Sequence, residues 1–137
     1  MSHRYDCRIR WSDVDAYGHV NNVKFYEYLQ EARIAFLMQV NDAGPAGQRG
    51  YVVARLDVDY RRPLVYRPEP IAVESWVTRV GRSSYDLRSR VVDGSETFAE
   101  AHTVIVAFDS VAQRSRPLDS DERVALEREL EDGSGQR

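Results

Sequence analysis

The chain has 137 residues, 42% of them hydrophobic, which suits one globular domain with a single core and excludes general disorder. Its formal net charge of −3 leaves no broad basic field and argues against nucleic acid as the main partner. The one cysteine, Cys7, excludes an intrachain disulfide and fits a reducing cytoplasm. The N-terminus lacks the apolar core of a signal peptide, and no segment is apolar for long enough to span a membrane.

Tyr5, Cys7, Ile9 and Trp11 alternate with Arg4, Asp6, Arg8 and Arg10. This period of two predicts a half-buried strand that runs to Ser12-Asp13. Over residues 21–40 the period changes. Phe25, Leu29, Ala32, Phe36 and Val40, with Tyr28 and Ala35 beside them, form one apolar stripe and predict a long helix. Asn21 or Asn22 is its candidate N-cap, and the run Asn41-Asp42-Ala43-Gly44-Pro45 is expected to stop it.

Residues 51–61 alternate again, with Val52, Ala54, Leu56, Val58 and Tyr60 on one face. Pro63, Pro68 and Pro70 mark a connection that cannot be a central strand. Residues 71–80 and 85–92 read as strands joined by the tight turn 81–84. Asp93-Gly94 is a hairpin signal leading to a further strand over 98–108. After Pro117, a short charged helix is expected over 119–130, with Asp119 and Glu122 at capping-box spacing. Residues 131–137 read as a frayed tail. The order predicts one α+β domain over residues 1–130, a long helix laid across a curved five-stranded antiparallel sheet, without repeats or a linker.

Chemically capable groups concentrate in the run Trp11-Ser12-Asp13-Val14-Asp15-Ala16-Tyr17-Gly18-His19-Val20-Asn21-Asn22. It sets two carboxylates, a glycine, a histidine and two asparagines at a strand-to-helix corner. Backbone N–H groups of a helix start, with a carboxylate close by, can stabilise an oxyanion and activate or supply a nucleophile. Taken alone, Asp15 would more often be a turn aspartate bonding its own backbone. Asp13 is read as an organiser of the corner. Gly18 is read as a position needing an unusual φ or a close approach of the backbone to a ligand. A metal is not expected, because His3 and His102 are the only other histidines and no cysteine lies near.

The segment Asp13-Val14-Asp15-Ala16-Tyr17-Gly18-His19-Val20-Asn21-Asn22, continuing to Tyr28-Leu29-Gln30-Glu31-Ala32-Arg33, resembles the signature of hotdog-fold acyl-CoA thioesterases of the 4-hydroxybenzoyl-CoA thioesterase type. Val58-Asp59-Tyr60-Arg61-Arg62-Pro63-Leu64 is similar to the family's strand-then-proline element. Arg79-Val80-Gly81-Arg82-Ser83-Ser84-Tyr85 is similar to its ligand-side turn. The likeness covers roughly residues 5–110.

The resemblance implies a hotdog fold and a homodimer whose sheets join edge to edge, with active sites at the subunit interface. Many relatives pair further into homotetramers. It implies hydrolysis of an acyl-CoA thioester, with coenzyme A as part of the substrate and no separate cofactor. Asp15 matches the catalytic carboxylate, acting as nucleophile or general base. The N–H of Asn22 matches the oxyanion donor, and Gly18 and His19 complete the catalytic turn, His19 by positioning rather than obligatory proton transfer. Asn21 is first a cap and second a ligand contact, and Tyr17 is the loop aromatic placed at the substrate. Gly81, Arg82, Ser83 and Ser84 match the turn that contacts the pantetheine and phosphates. Arg61, Arg62, Arg79 and Arg88 are further basic candidates, each read first as part of a solvated face. Phe25 and Tyr28 are read as core. The alternatives are a hotdog acyl-thioester dehydratase or hydratase, and an acyl-thioester binding module without turnover. The acyl group, and coenzyme A against a carrier protein, stay open.

Overall fold

The computed structural model describes residues 2–40 and 50–130. The expected helix stop at 41–45 and the tail at 131–137 lie outside the described residues. The elements run β1 (His3–Cys7), a 3-10 turn (Trp11–Asp13), α1 (Asn22–Val40), β2 (Gly50–Tyr60), β3 (Ile71–Val80), β4 (Ser84–Asp93), β5 (Glu96–Asp109), β6 (Arg114–Ser115) and α2 (Ser120–Arg128). The sheet is antiparallel in the order β1-β3-β4-β5-β2, and the two-residue β6 adds to β5. This is the expected α+β hotdog architecture with one short strand more.

The helical stripe does what its spacing predicts. Phe25, Tyr28, Leu29 and Ala32 are buried against Ile71, Val73, Val91 and Phe98, and Phe36 joins a second cluster with Val77, Tyr85, Leu87 and Ile105. Each large side chain so buried contributes roughly 1.5–3 kcal/mol. The hairpin strands β3, β4 and β5 fall where their alternation and the Asp93-Gly94 signal place them, with Gly94 at a φ of 58°. Among the described residues no helix is long and apolar enough to cross a membrane.

Two expectations fail for physical reasons. The first strand ends at Cys7 and does not reach Trp11. The Asp13 N–H donates to the Arg10 carbonyl (2.9 Å) and the Val14 N–H to the Trp11 carbonyl (3.2 Å), which curls the chain into a 3-10 turn. Ile9 stays buried, but Trp11 is 75% exposed and packs edge-on against Tyr66. In β2 the register against β5 slips between Val53 and Arg55, a bulge that leaves Ala54 unmatched. One extra residue exchanges the faces of a strand. Tyr51 therefore points inward on one side of the bulge and Leu56 and Val58 on the other, while Val52 and Ala54 are exposed.

At the far end, α2 is capped as its sequence predicts: the Glu122 N–H donates to Asp119 Oδ1 (2.9 Å), and the Asp119 N–H to Glu122 Oε1 (2.8 Å). The fully buried Glu122 carboxylate also takes two bonds from Arg116 (2.7 and 2.9 Å) and one from the Tyr51 hydroxyl. Burial alone would raise its pKa, but these donors outweigh burial and lower it to about 2. A depressed carboxylate stabilises the fold above its unfolded pKa, near 4.5, and loses that contribution as pH falls towards about 2. Glu122→Gln should therefore cost about 3 kcal/mol at pH 7. Urea denaturation of both proteins across the acid range should show their difference constant above about pH 4.5 and shrinking below it.

Candidate functional site

The corner between the 3-10 turn and α1 is closed on itself. Val14 and Val20 form an antiparallel bridge, and the Asp15 N–H donates to the His19 carbonyl (2.8 Å). Asp15 Oδ1 accepts the N–H groups of Tyr17 (2.9 Å) and His19 (3.4 Å). Its Oδ2 has no partner among the described residues. Gly18 turns the loop at a φ of 81°, and nothing lies within 4 Å of where its Cβ would stand. Backbone conformation, not crowding, is what calls for glycine there.

The helix start is set by Asn21, which resolves the choice of cap. Its Oδ1 accepts the Val23 N–H (3.0 Å), and its carbonyl accepts the Lys24 N–H (2.8 Å). Asn22 is the first helical residue, and the Asn21 cap bond goes to the Val23 N–H beyond it. That position carries the partial positive charge of the helix N-terminus.

Asp13 ties the corner together. Its side chain is fully buried, and Oδ2 accepts both the Arg10 N–H (3.0 Å) and the Tyr28 hydroxyl (2.7 Å). The Arg10 guanidinium lies 3.2 Å from Oδ1, and the Asp13 carbonyl accepts the Asn21 N–H (2.8 Å). Burial alone would raise the Asp13 pKa. The Tyr28 hydroxyl, the Arg10 N–H and the Arg10 guanidinium outweigh burial and hold the carboxyl below its ordinary range. Burial, followed by the Asp13 carboxylate, pushes the Tyr28 phenol up, so it remains a hydrogen-bond donor. Arg10 also reaches Glu27 (2.7 Å), but that pair is exposed and screened by solvent. The Tyr28–Asp13 bond, made to a buried carboxylate, is worth roughly 1.5–3 kcal/mol and dominates.

A second wall comes from the end of β2 and the connection after it. The Tyr60 hydroxyl donates to the Asn22 carbonyl (2.9 Å), the Val20 N–H to the Leu64 carbonyl (2.7 Å), and His19 bridges Val65. The N–H groups of Arg61 and Arg62 both donate to the Phe98 carbonyl (2.8 and 3.2 Å). Between the walls lies a cleft of about 410 Å³. Asp15, His19, Asn21 and Asn22 line one side and Tyr60, Arg61 and Arg62 the other, over Val20, Phe25 and Leu64. Five of the motif residues, Val20 included, thus meet in one cleft. The role of Tyr60 and Leu64 in that wall was not foreseen, although the segment carrying them stood out in the sequence. Arg61 and Arg62 reach solvent, where they pair with Glu100 (3.2 Å) and Glu96 (3.1 Å).

Other candidates lie elsewhere. Tyr17 is 86% exposed and, like Gly18, is not part of the cleft lining. The turn at 81–84 sits at the opposite end of the sheet. Ser84 pairs with Val106 of β5 and Tyr60 with Ala99, seven residues or about 23 Å apart. There the Gly81 N–H donates to the Ser84 carbonyl (2.7 Å), the Arg82 carbonyl accepts the Leu118 N–H (2.9 Å), and Arg79 binds the Ser84 hydroxyl (2.9 Å). Arg88 is exposed on β4, opposite His102. Among the described residues no three His, Cys, Asp or Glu side chains come together as a metal site. The cleft offers a carboxylate with one oxygen held and one available, beside a helix N-terminus. That set can attack or activate water against a carbonyl and stabilise the oxygen charge that develops.

Residues 9–126 match the model of the thioesterase-like superfamily. The chain is 27% identical over 125 residues to the long-chain acyl-CoA thioesterase FadM of Escherichia coli, covering 88% of this chain and 93% of that one. A thioesterase of Thermus thermophilus, solved in complex with coenzyme A and zinc, superposes with a TM-score of 0.79 at 30% identity, covering 91% and 92% of the two chains. A thioesterase-superfamily protein of Jannaschia sp. superposes with a TM-score of 0.86 at 22% identity, covering 96% and 94%, a likeness of fold.

Because Asn21 caps α1 through its side chain, Asn21→Ala should lower stability by about 1 kcal/mol, whereas Asn21→Asp, which keeps an acceptor, should retain it. Chemical denaturation of the three proteins checks this.

Proposed function

The chain belongs to the thioesterase-like superfamily, and from that premise we propose that it hydrolyses an acyl-CoA thioester to a carboxylic acid and free coenzyme A. The observation that carries the reading is the cleft that gathers Asp15 and the first helical residue, Asn22, on one wall. The substrate class draws on the likeness to a long-chain acyl-CoA thioesterase and to a thioesterase solved with coenzyme A.

In this reading the thioester carbonyl sits between Asp15 Oδ2 and the Asn22 N–H. Oδ2, or a water it deprotonates, adds to the carbonyl carbon. The oxygen takes up the charge at the helix N-terminus, where one donor is typically worth ~3 kcal/mol in the transition state. The carbon–sulfur bond then breaks, and the thiolate takes up a proton to leave as free coenzyme A. If Oδ2 attacked, water cleaves the resulting anhydride and restores the carboxylate. His19 holds Asp15 Oδ1 through its N–H and shapes the cleft beside it. Gly18 lets the loop turn, and Asn21 sets the helix start. No metal or separate cofactor enters the reaction.

The carrier reaches further than one subunit's cleft. The outer edge of β2 is unpaired among the described residues, with Val52 and Val53 exposed along it. Open edges of this length are usually covered. A second copy joining there about a two-fold axis would set its Gly50 end near this chain's Tyr60 end. That brings the second copy's turn of Gly81, Arg82, Ser83 and Ser84 towards this cleft to hold pantetheine and phosphates. Tyr17, exposed on the loop, then faces substrate or the second copy. A cytoplasmic homodimer, able to pair again into a tetramer, is the assembly that completes the site. The lone Cys7 suits that compartment.

Thiol release from a panel of acyl-CoAs tests the reading. Asp15→Asn should keep the fold and lose at least a hundredfold in kcat, because both routes use the carboxylate. Full activity in that variant would sink the assignment. Formation or loss of a double bond without free thiol would favour a dehydratase or hydratase.

A further inference from the structure

The proposed chemistry demands that two groups on different elements face one carbonyl: Asp15 on the loop and the Asn22 N–H on α1. Misplacement by about 1 Å can cost a hundredfold in rate. The loop's own bonds, the Val14–Val20 bridge and the Asp15–His19 pair, shape the loop but do not aim the helix. Two bonds to Asp13 do. The Asn21 N–H binds the Asp13 carbonyl at the start of α1, and the Tyr28 hydroxyl binds Asp13 Oδ2. Tyr28 lies six residues, or about 9 Å along the axis, beyond Asn22. The buried stripe holds α1 on the sheet and Tyr60 ties its first turn to β2, while these two bonds, so separated, fix the direction of the helix against the Asp15 loop.

We infer that Tyr28 is a positioning residue for catalysis: its hydroxyl, through the buried carboxylate of Asp13, sets the distance between Asp15 and the Asn22 N–H. Sequence periodicity assigned Tyr28 only to the core, and its ring does pack there beside Phe25 (centroids 6.0 Å apart). The hydroxyl is the part that packing leaves unexplained. It touches neither the cleft lining nor a reacting atom, so its effect passes through Asp13. Arg10 grips the same carboxylate from solvent, and Lys24 (3.0 Å) and Arg10 share Glu27. These outer pairs are exposed and do not substitute for the buried bond.

The inference rests on the thioesterase reading, and the experiment separates the two. Tyr28→Phe keeps the ring and removes the bond. Steady-state thiol release from acyl-CoA, measured well below the melting temperature, should show kcat lowered between about tenfold and a hundredfold with KM changed less than about twofold. The pH–rate profile should keep its shape, because Tyr28 donates a hydrogen bond and transfers no proton. Asp13→Ala, which removes the acceptor, combined with Tyr28→Phe should lose no more than Asp13→Ala alone, since both cut one link. Wild-type kcat in folded Tyr28→Phe, or losses that multiply in the double variant, would overturn the inference while leaving the thioesterase reading intact. A wild-type protein that releases no thiol from any acyl-CoA would overturn the reading itself.

Discussion

One buried carboxylate holds this structure to its task. Asp13 lies under the surface at the join between the 3-10 turn and α1, and every element of the corner bonds to it. A charge so placed is costly unless it is partnered: here Oδ2 accepts two hydrogen bonds, and Oδ1, which accepts none, faces the Arg10 guanidinium at 3.2 Å. The same bonds end β1 early, expose Trp11 and bring the chain round to enter the helix at Asn21. The loop that carries Asp15 is short because both of its ends are fixed by this knot.

Sequence pattern revealed most of the scaffold because most of it follows one period at a time. β3, β4 and β5 are joined by tight turns, so alternation and the Asp93-Gly94 signal suffice to bound them. The stripe on α1 is read as easily, since Phe25, Leu29, Ala32 and Phe36 all face the sheet. Pattern fails where one residue changes the period. The bulge at Ala54 is invisible to alternation, because apolar side chains occupy both faces of that stretch of β2. Trp11 keeps the right parity for a strand, yet Asp13 bonds backward to Arg10 and ends it. Two residues of β6 are too few to show a period at all.

The site was half legible. Asp15, His19, Asn21 and Asn22 lie within one short run of sequence, so a local motif reports them, and they meet in one cleft. The opposite wall comes from residues some forty positions later, and only pairing of β2 with β5 brings Tyr60 and Arg61 alongside. Tyr28 hid for a different reason. An aromatic at helical core spacing looks complete as a packing residue, and nothing in its position announces the partner of its hydroxyl. Turn 81–84 lies about 23 Å along the sheet from the Asp15 cleft, so contiguity in sequence could not show how the two relate in space.

The Glu122 cluster also sets an order of events during synthesis. Arg116 Nη2 donates to the Gly50 carbonyl 66 residues upstream, and the Tyr51 hydroxyl reaches Glu122, 71 residues downstream. The start of β2 is thus latched by residues synthesised 66 to 71 positions later. A nascent chain can pair β3 with β4 while β5 is still emerging, but its most exposed edge strand stays unlatched until α2 is made. The vulnerable interval for this chain is therefore the one between the synthesis of β2 and that of α2, when an aggregation-prone edge is present and its latch is not.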